Sequence, residues 1–222
     1  IPLRLVGSEM CIRDRVNTEY TRSYTTGAVT IGKSERSLKE IPQTVTVLTA
    51  QRLKDQNITT LNDVYNNVQG VVAYGALNGD NQPYARGFEI DNFQINGIPI
   101  PAGTSTGITS LNWTDLIAYE RVEVLKGSSG LFQGAGSPGG AINLVRKRAG
   151  ADFQINTVTQ AGSWDNYRQE VDVQGALNDA KTVRGRLATA YGSRHYFYDE
   201  GKSERASTYG VLEFDLTPDT LL

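Results

Sequence analysis

Four glycines, Gly134, Gly136, Gly139 and Gly140, are the first place to look for chemistry, because the first three spell a formal GxGxxG. A dinucleotide loop follows a strand and opens a helix whose N-terminal amides hold a pyrophosphate. Here the glycines follow Ser128 to Gln133, a stretch with room for one helical turn. They include Pro138 and lead into Ala141 to Val145, whose alternation predicts a strand rather than a helix. That order argues against a nucleotide site, and no GxxxxGK[ST] phosphate loop occurs. Cys11 and His195 are each the single residue of their kind. A disulfide framework, a thiolate metal site, a zinc site and a His-based acid–base pair therefore all lack parts.

The elements around those glycines are clearer. Val122 and Val124 alternate with Arg121 and Glu123, which predicts a strand before the glycine loop. The second strand ends in a basic triplet, Arg146, Lys147 and Arg148. The chain has 222 residues, a hydrophobic content of 39% and a net charge of −2, so it offers no global electrostatic reason to bind nucleic acid. No stretch approaches the ~18 consecutive apolar residues of a membrane helix, a test that transmembrane strands escape.

Upstream, Thr44 to Thr49 predicts a strand with Val45 and Val47 on one face, followed by a helix from Ala50 to Gln56. Thr60 is placed to cap a second helix whose Leu61, Val64, Tyr65 and Val68 share a face. Gly70 ends it, and Val71 to Tyr74 predicts a strand. A polar loop is expected over Ala76 to Pro83, then a strand in YARGFEI, then a turn at Asn96–Gly97 within FQINGIPI. Pro101 to Ser110 reads as a second polar loop, and Asn112 or Thr114 as the cap of a short helix reaching Tyr119.

The segments ERVEVLKG and QGAGSPGGAINLVRKR closely resemble the C-terminal half of the plug domain of TonB-dependent outer-membrane receptors, in the ferric-siderophore branch. IPQTVTVLT with LNDVYNNVQGV resembles the opening half, and RGF and NGIPI follow in the family's order. The resemblance implies a plug over residues 35–148, preceded by an extended lead-in over 16–34 in which no TonB box is identifiable. Residues 1–15 fit no period and resemble translated sequencing-adapter read-through, a genuine flexible N-terminus being the alternative. Arg4 and Glu9 interrupt any signal-peptide core, so an exported protein would have its real N-terminus elsewhere. Two glycosylation patterns, at Asn57 and Asn112, are read as chance.

After Ala149 four alternating runs appear, Phe153 to Gln160, Tyr167 to Leu177, Val183 to Tyr191 and Tyr209 to Leu216. Each has an apolar face and a face of mixed charge, as strands between lipid and a polar lumen require; a soluble sheet with one solvated face shares the pattern. Asn178–Asp179 and Pro218–Asp219 read as tight turns and Arg194 to Arg205 as a longer loop. Trp164, Tyr167, Tyr191, Tyr196, Phe197 and Tyr198 would gather at the long-loop end as an aromatic girdle. The fold class expected is an α+β plug, a small mixed sheet with short helices, followed by the first antiparallel strands of a transmembrane β-barrel over 149–222. Plugged outer-membrane transporters have about 22 strands, so four cannot close and the chain reads as a fragment.

The resemblance implies an outer-membrane receptor that takes up a ferric siderophore, energised by TonB acting on the plug, and not an enzyme. Its partners would be the chelate, TonB with its inner-membrane complex, and outer-membrane lipid. The iron travels in the ligand, so no cofactor and no protein metal site are expected. Plug apices carry over to Tyr74 with Asn78, Asp91 with Asn92, and Thr104 with Ser105 as ligand contacts. Arg86, Arg121, Glu123 and Arg146 are expected to pair with lumen charges such as Glu170 or Arg184 and so seat the plug. The competing readings are the same fold with vitamin B12, haem or a glycan as cargo, a soluble nucleotide-binding α/β protein, and a secreted β-rich binding module.

Overall fold

Two threonines decide where the helices begin. In the computed structural model, which describes residues 23–26, 28–31, 36–75, 81–100, 114–128, 130, 138–196, 198, 200–217 and 220–221, Thr49 caps helix α1 (Ala50–Asp55) by accepting from the Arg52 N–H. Thr60 caps α2 (Leu61–Asn67) more completely, in a capping box. Its hydroxyl accepts from the Asp63 N–H while the Asp63 carboxylate accepts from the Thr60 N–H. Leu61, Val64 and Tyr65 are buried on one face of α2, as their spacing predicts.

The strands run in chain order as β1 (Ala28–Val29), β2 (Arg36–Ser37), β3 (Thr44–Leu48), β4 (Val71–Gly75), β5 (Asn81–Ala85), β6 (Phe88–Glu89), β7 (Asn92–Ile95), β8 (Ile98–Pro99), β9 (Tyr119–Lys126) and β10 (Gly140–Arg146). A central sheet takes the order β3-β9-β10-β7-β8, with β10 antiparallel to β9 and parallel to β7. Its first face buries Val122, Val124, Ile142, Leu144 and Phe93 against both helices and β4. The second face is covered too, with Leu125 and Ala141 packed against Val29, Ile31 and Ile41. Gly139 and Gly140 therefore serve close packing. A Cβ on Gly139 would lie 2.2 Å from the Glu89 carbonyl oxygen, and one on Gly140, at φ +135°, 2.0 Å from that of Leu125. Gly134, Gly136 and the helical turn expected before them fall outside the described residues, Ser128 and Gly130 excepted.

Three expectations change. Asn81 to Pro83 is strand, not loop, because β5 pairs with β4 from Gly75↔Asn81 to Val71↔Ala85. The strand expected in YARGFEI is broken by a two-residue hairpin turn at Arg86–Gly87, with Tyr84 and Ala85 in β5 and Phe88 and Glu89 in β6. Ala85 pairs with Phe88 across Arg86 (φ +54°) and Gly87 (φ +85°), the two positive φ values that suit the twist of a tight hairpin. Asn96–Gly97 makes the turn predicted there, joining Ile95 to Ile98. The short helix before β9 is a 3-10 turn, Leu116–Ala118, capped by Asp115 rather than by Thr114; Asn112 lies outside the described residues.

After Ala149 the chain becomes an antiparallel meander, β11 (Gln154–Gly162), β12 (Asn166–Ala176), β13 (Val183–His195), β14 (Lys202–Thr217) and β15 (Thr220–Leu221), each pairing with the next in an open sheet. The loop expected over Arg194 to Arg205 shrinks to residues 196–201, since the ladder runs on through Arg194↔Ser203 to His195↔Lys202. Polar residues alternate there with no apolar face to mark the strand. Ile155, Leu187, Leu212 and Leu216 are exposed on the outer face, with Trp164, Tyr167 and Tyr191 exposed toward the end that carries the 196–201 loop. Tyr196 and Tyr198 stack there at 5.4 Å; Phe197 and the Pro218–Asp219 turn lie outside the described residues.

Candidate functional site

The hairpin β4–β5 with its short neighbour β6 forms a separate three-stranded sheet, and one of its faces carries a shallow groove. Val72 pairs directly with Tyr84, and Tyr74 lies diagonally across from it, the two ring centroids 5.3 Å apart in an edge-to-face arrangement at 79°. Tyr74 remains 64% exposed. Together with Gly70, Arg86 and Gly87 these side chains line a shallow groove of about 410 Å³. Two phenols and one guanidinium can stack on a planar ligand, accept and donate hydrogen bonds, and attract negative charge.

The register gathers two of the expected apices. Tyr74 pairs with Gln82 on one side of β5, and on the other the Ile90 N–H donates to Pro83, so Asp91 emerges at the Tyr74 end. Asp91 is exposed, and Asn92, half-buried, opens β7 opposite Ala141. Ile100 donates to the Phe93 carbonyl oxygen before the chain passes into the segment holding Thr104 and Ser105. Asn78, Thr104 and Ser105 themselves fall outside the described residues.

The four charges expected to seat the plug make other contacts. Arg121 and Glu123 pair with each other at 2.8 Å. Arg86 reaches the Thr44 hydroxyl, and its guanidinium lies against Gly127. Burial, with Arg86 nearby, holds the Lys126 ammonium below its usual pKa while its Nζ donates to the Gln69 carbonyl oxygen. The Arg146 backbone N–H donates to Asn96 Oδ1, and the Arg146 side chain lies by Tyr119, whose phenol pKa burial pushes up and Arg146 partly restores. Among the described residues none of the four forms an ion pair with β11–β15.

Other residues bridge the central-sheet region to the meander. Arg168 on β12 donates to both carboxylate oxygens of Asp115 at 2.7 and 2.9 Å and to Glu170 at 2.6 Å. Asp172 accepts from Lys147 at 2.8 Å and from both Nε and Nη2 of Arg186. Glu213 lies between Arg148 and Arg184, and Arg184 pairs in addition with Asp215. The Tyr209 hydroxyl donates to the Lys147 carbonyl oxygen, and Ile117 packs on Ala188 and Ala190. Two members of the basic triplet thus meet the inward charges that strand alternation had already separated from the apolar face. Only Asp115 carried no signal in the sequence.

Residues 37–141 match the TonB-dependent receptor plug domain family. The chain is 44% identical over 206 residues to the ferric-pyoverdine M114 receptor of Pseudomonas sp. strain M114, and 44% identical over 209 residues to the ferripyoverdine receptor of Pseudomonas aeruginosa. Each alignment takes in 92% of this chain and 25% of the relative, so the chain spans about a quarter of the length of these curated relatives. The solved ferripyoverdine receptor of the P. aeruginosa outer membrane, bound to ferripyoverdine, superposes with a TM-score of 0.84 at 40% identity, covering 92% of this chain and 27% of that one. The alcaligin outer-membrane receptor of Bordetella pertussis superposes at 0.79 with 35% identity, covering 92% and 35%. The family match over the central sheet and these similarities lead to one conclusion: residues 37–141 form a plug domain, and the chain belongs to the TonB-dependent receptors.

Proposed function

We propose that the complete protein is an outer-membrane receptor and active transporter for a ferric siderophore, of the pyoverdine type, driven by TonB through the N-terminal side of the plug. The observation that carries this reading is identity at 44% sustained across the plug and the following strands, to receptors named for ferric pyoverdine. In it residues 35–148 act as the plug and 149–222 as the first strands of a wall facing lipid. Tyr74, Asp91 and Asn92, with Asn78, Thr104 and Ser105 on the adjoining segments, offer the chelate its plug-side contacts, and the Tyr74–Tyr84–Arg86 groove supports that assignment by its chemistry. The plug is held to the wall chiefly by Asp115, Lys147 and Arg148. Arg86, Arg121, Glu123 and Arg146 order the plug itself. The cargo crosses without chemical change.

The test is growth of an iron-starved strain lacking its own receptors but carrying the full-length reading frame, supplied with a panel of ferric siderophores that includes ferripyoverdine. Rescue by one chelate that disappears without TonB is the expected result. Protein present in the outer membrane with no rescue by any chelate overturns the cargo assignment in favour of vitamin B12, haem or a glycan.

A further inference from the structure

The second face of the central sheet is closed by a segment that precedes the matched plug residues. Val29 and Ile31 are wholly buried against Ile41, Leu125 and Ala141. Thr30, between them, is held by one carboxylate. Its N–H donates to both oxygens of Glu123, at 3.1 and 3.0 Å, and its hydroxyl lies 3.4 Å from each. Arg121 Nε and Asn143 Nδ2 donate to the same carboxylate at 2.8 and 2.9 Å, and Asn143 Nδ2 also reaches the Thr30 hydroxyl. Glu123 is inaccessible to solvent. Otherwise residues 28–31 are tied only lightly, β1 pairing with β2 through two residue pairs.

What lies beneath is unusual for a sheet face. The register aligns Gln94, Asn143 and Glu123 in a row across β7, β10 and β9, and all three are wholly buried. The Asn143 Oδ1 accepts from the Gly97 N–H, whereas neither amide atom of Gln94 has a partner among the described residues.

We propose that Glu123 is the release point of an N-terminal strap, residues 28–31, whose detachment uncovers Glu123 and Asn143, the strap-side members of the polar row that continues to Gln94. The inference rests on the receptor reading, in which the pull on the plug arrives from this side. Lifting the strap removes the Thr30 donors from a carboxylate that can only accept, so the strap holds or releases as a unit instead of fraying. Once it is off, water can satisfy the row, which an apolar face would not permit. The open state then exposes Val29, Ile31 and Leu125 beside hydrated polar groups, and reburial of those apolar side chains favours closing again. Glu123→Gln presents an amide N–H₂ to donors that need an acceptor, and so weakens closure while preserving volume.

The experiment measures thiol accessibility in the full-length receptor in outer-membrane vesicles without TonB, with native cysteines replaced by serine. Val29→Cys places one thiol in the strap, and Val64→Cys, in α2, places one in the opposite core. Both are expected to resist a maleimide in the parent. Glu123→Gln is expected to speed labelling of Val29→Cys by about tenfold or more, the scale of losing a hydrogen bond to a charged group, and to leave Val64→Cys protected. An unchanged rate at Val29→Cys overturns the proposal, and so does equal acceleration at Val64→Cys, which would make Glu123 a general stability residue. Neither reading uses cargo, so failure of the siderophore assignment in the growth test is a separate result.

Discussion

Arg168 grips Asp115 through two parallel hydrogen bonds, at 2.7 and 2.9 Å, with side chains only 7% and 2% exposed. One partner lies on the second strand of the meander and the other caps the turn that delivers the chain to β9. Asp115 thereby does two tasks, because its Oδ1 also accepts from the Ile117 N–H. One carboxylate thus ties the turn before β9 to the meander, alongside the Lys147–Asp172 and Arg148–Glu213 pairs.

Asp115→Ala should therefore cost more than a surface ion pair would. Removing one member of a buried pair typically costs about 3–5 kcal/mol, because the other charge is stranded. Glu170, still within 2.6 Å of Arg168 Nε, should hold the loss toward the lower end. The temperature at which the plug of the full-length receptor becomes protease-sensitive should fall, and Asp115→Asn, which keeps an oxygen for Ile117, should fall less.

Thr60→Ala removes half of the capping box on α2 and should cost about 0.5–2 kcal/mol, while Thr60→Ser should be close to neutral. Urea titrations should show a lower midpoint at constant slope for the alanine variant.

Glycine substitutions should separate two causes of cost. Gly140→Ala drives a Cβ to within 2.0 Å of a backbone oxygen in the middle of the central sheet and should abolish plug folding. Gly87→Ala meets nothing within 4 Å but keeps a positive φ, so only backbone strain of about 1–3 kcal/mol should appear. Protease resistance of the outer-membrane protein should be lost in the first and merely lowered in the second.

Tyr74→Ala in the full-length receptor should weaken ferric-chelate binding by roughly twofold to tenfold, the range of one aromatic contact. Tyr74→Phe should retain most of the affinity if the ring stacks, and lose it if the hydroxyl is the contact. Equal affinity in both variants and the parent would remove Tyr74 from the ligand face.

Period and capping residues made much of this legible. Thr60 as a helix cap, the Val45 and Val47 face, Asn96–Gly97, and the outward set of Leu187, Leu212 and Leu216 all follow from local chemistry. What stayed hidden depends on distant chain. Arg86 adopts a left-handed turn that its residue type disfavours, because the pairing of Ala85 with Phe88 demands it. Glu123 alternates like an exposed residue and is buried because residues 28–31 cover it. The strand ends at Arg194 and Lys202 carry no apolar signal, and hydrogen bonding to a neighbour extends them. The ligand apices were placed by family likeness alone, since solvated Asn, Thr and Ser residues look the same whatever they touch.

The sheet order has a consequence for how the chain acquires its shape. From β11 onward every strand joins its immediate neighbour, so pairing can proceed hairpin by hairpin as the polypeptide emerges. The plug cannot proceed so. Its central strands β9 and β10 must find β3 and β7, and Asn143 must meet Thr30, 113 residues earlier. Such distant pairing is slow to nucleate because a long loop must close first. Beyond the local β4–β5–β6 sheet, the earlier strands thus have no completed central sheet to join until β10 is available, and a chain halted before Gly140 should remain without the plug's organising centre.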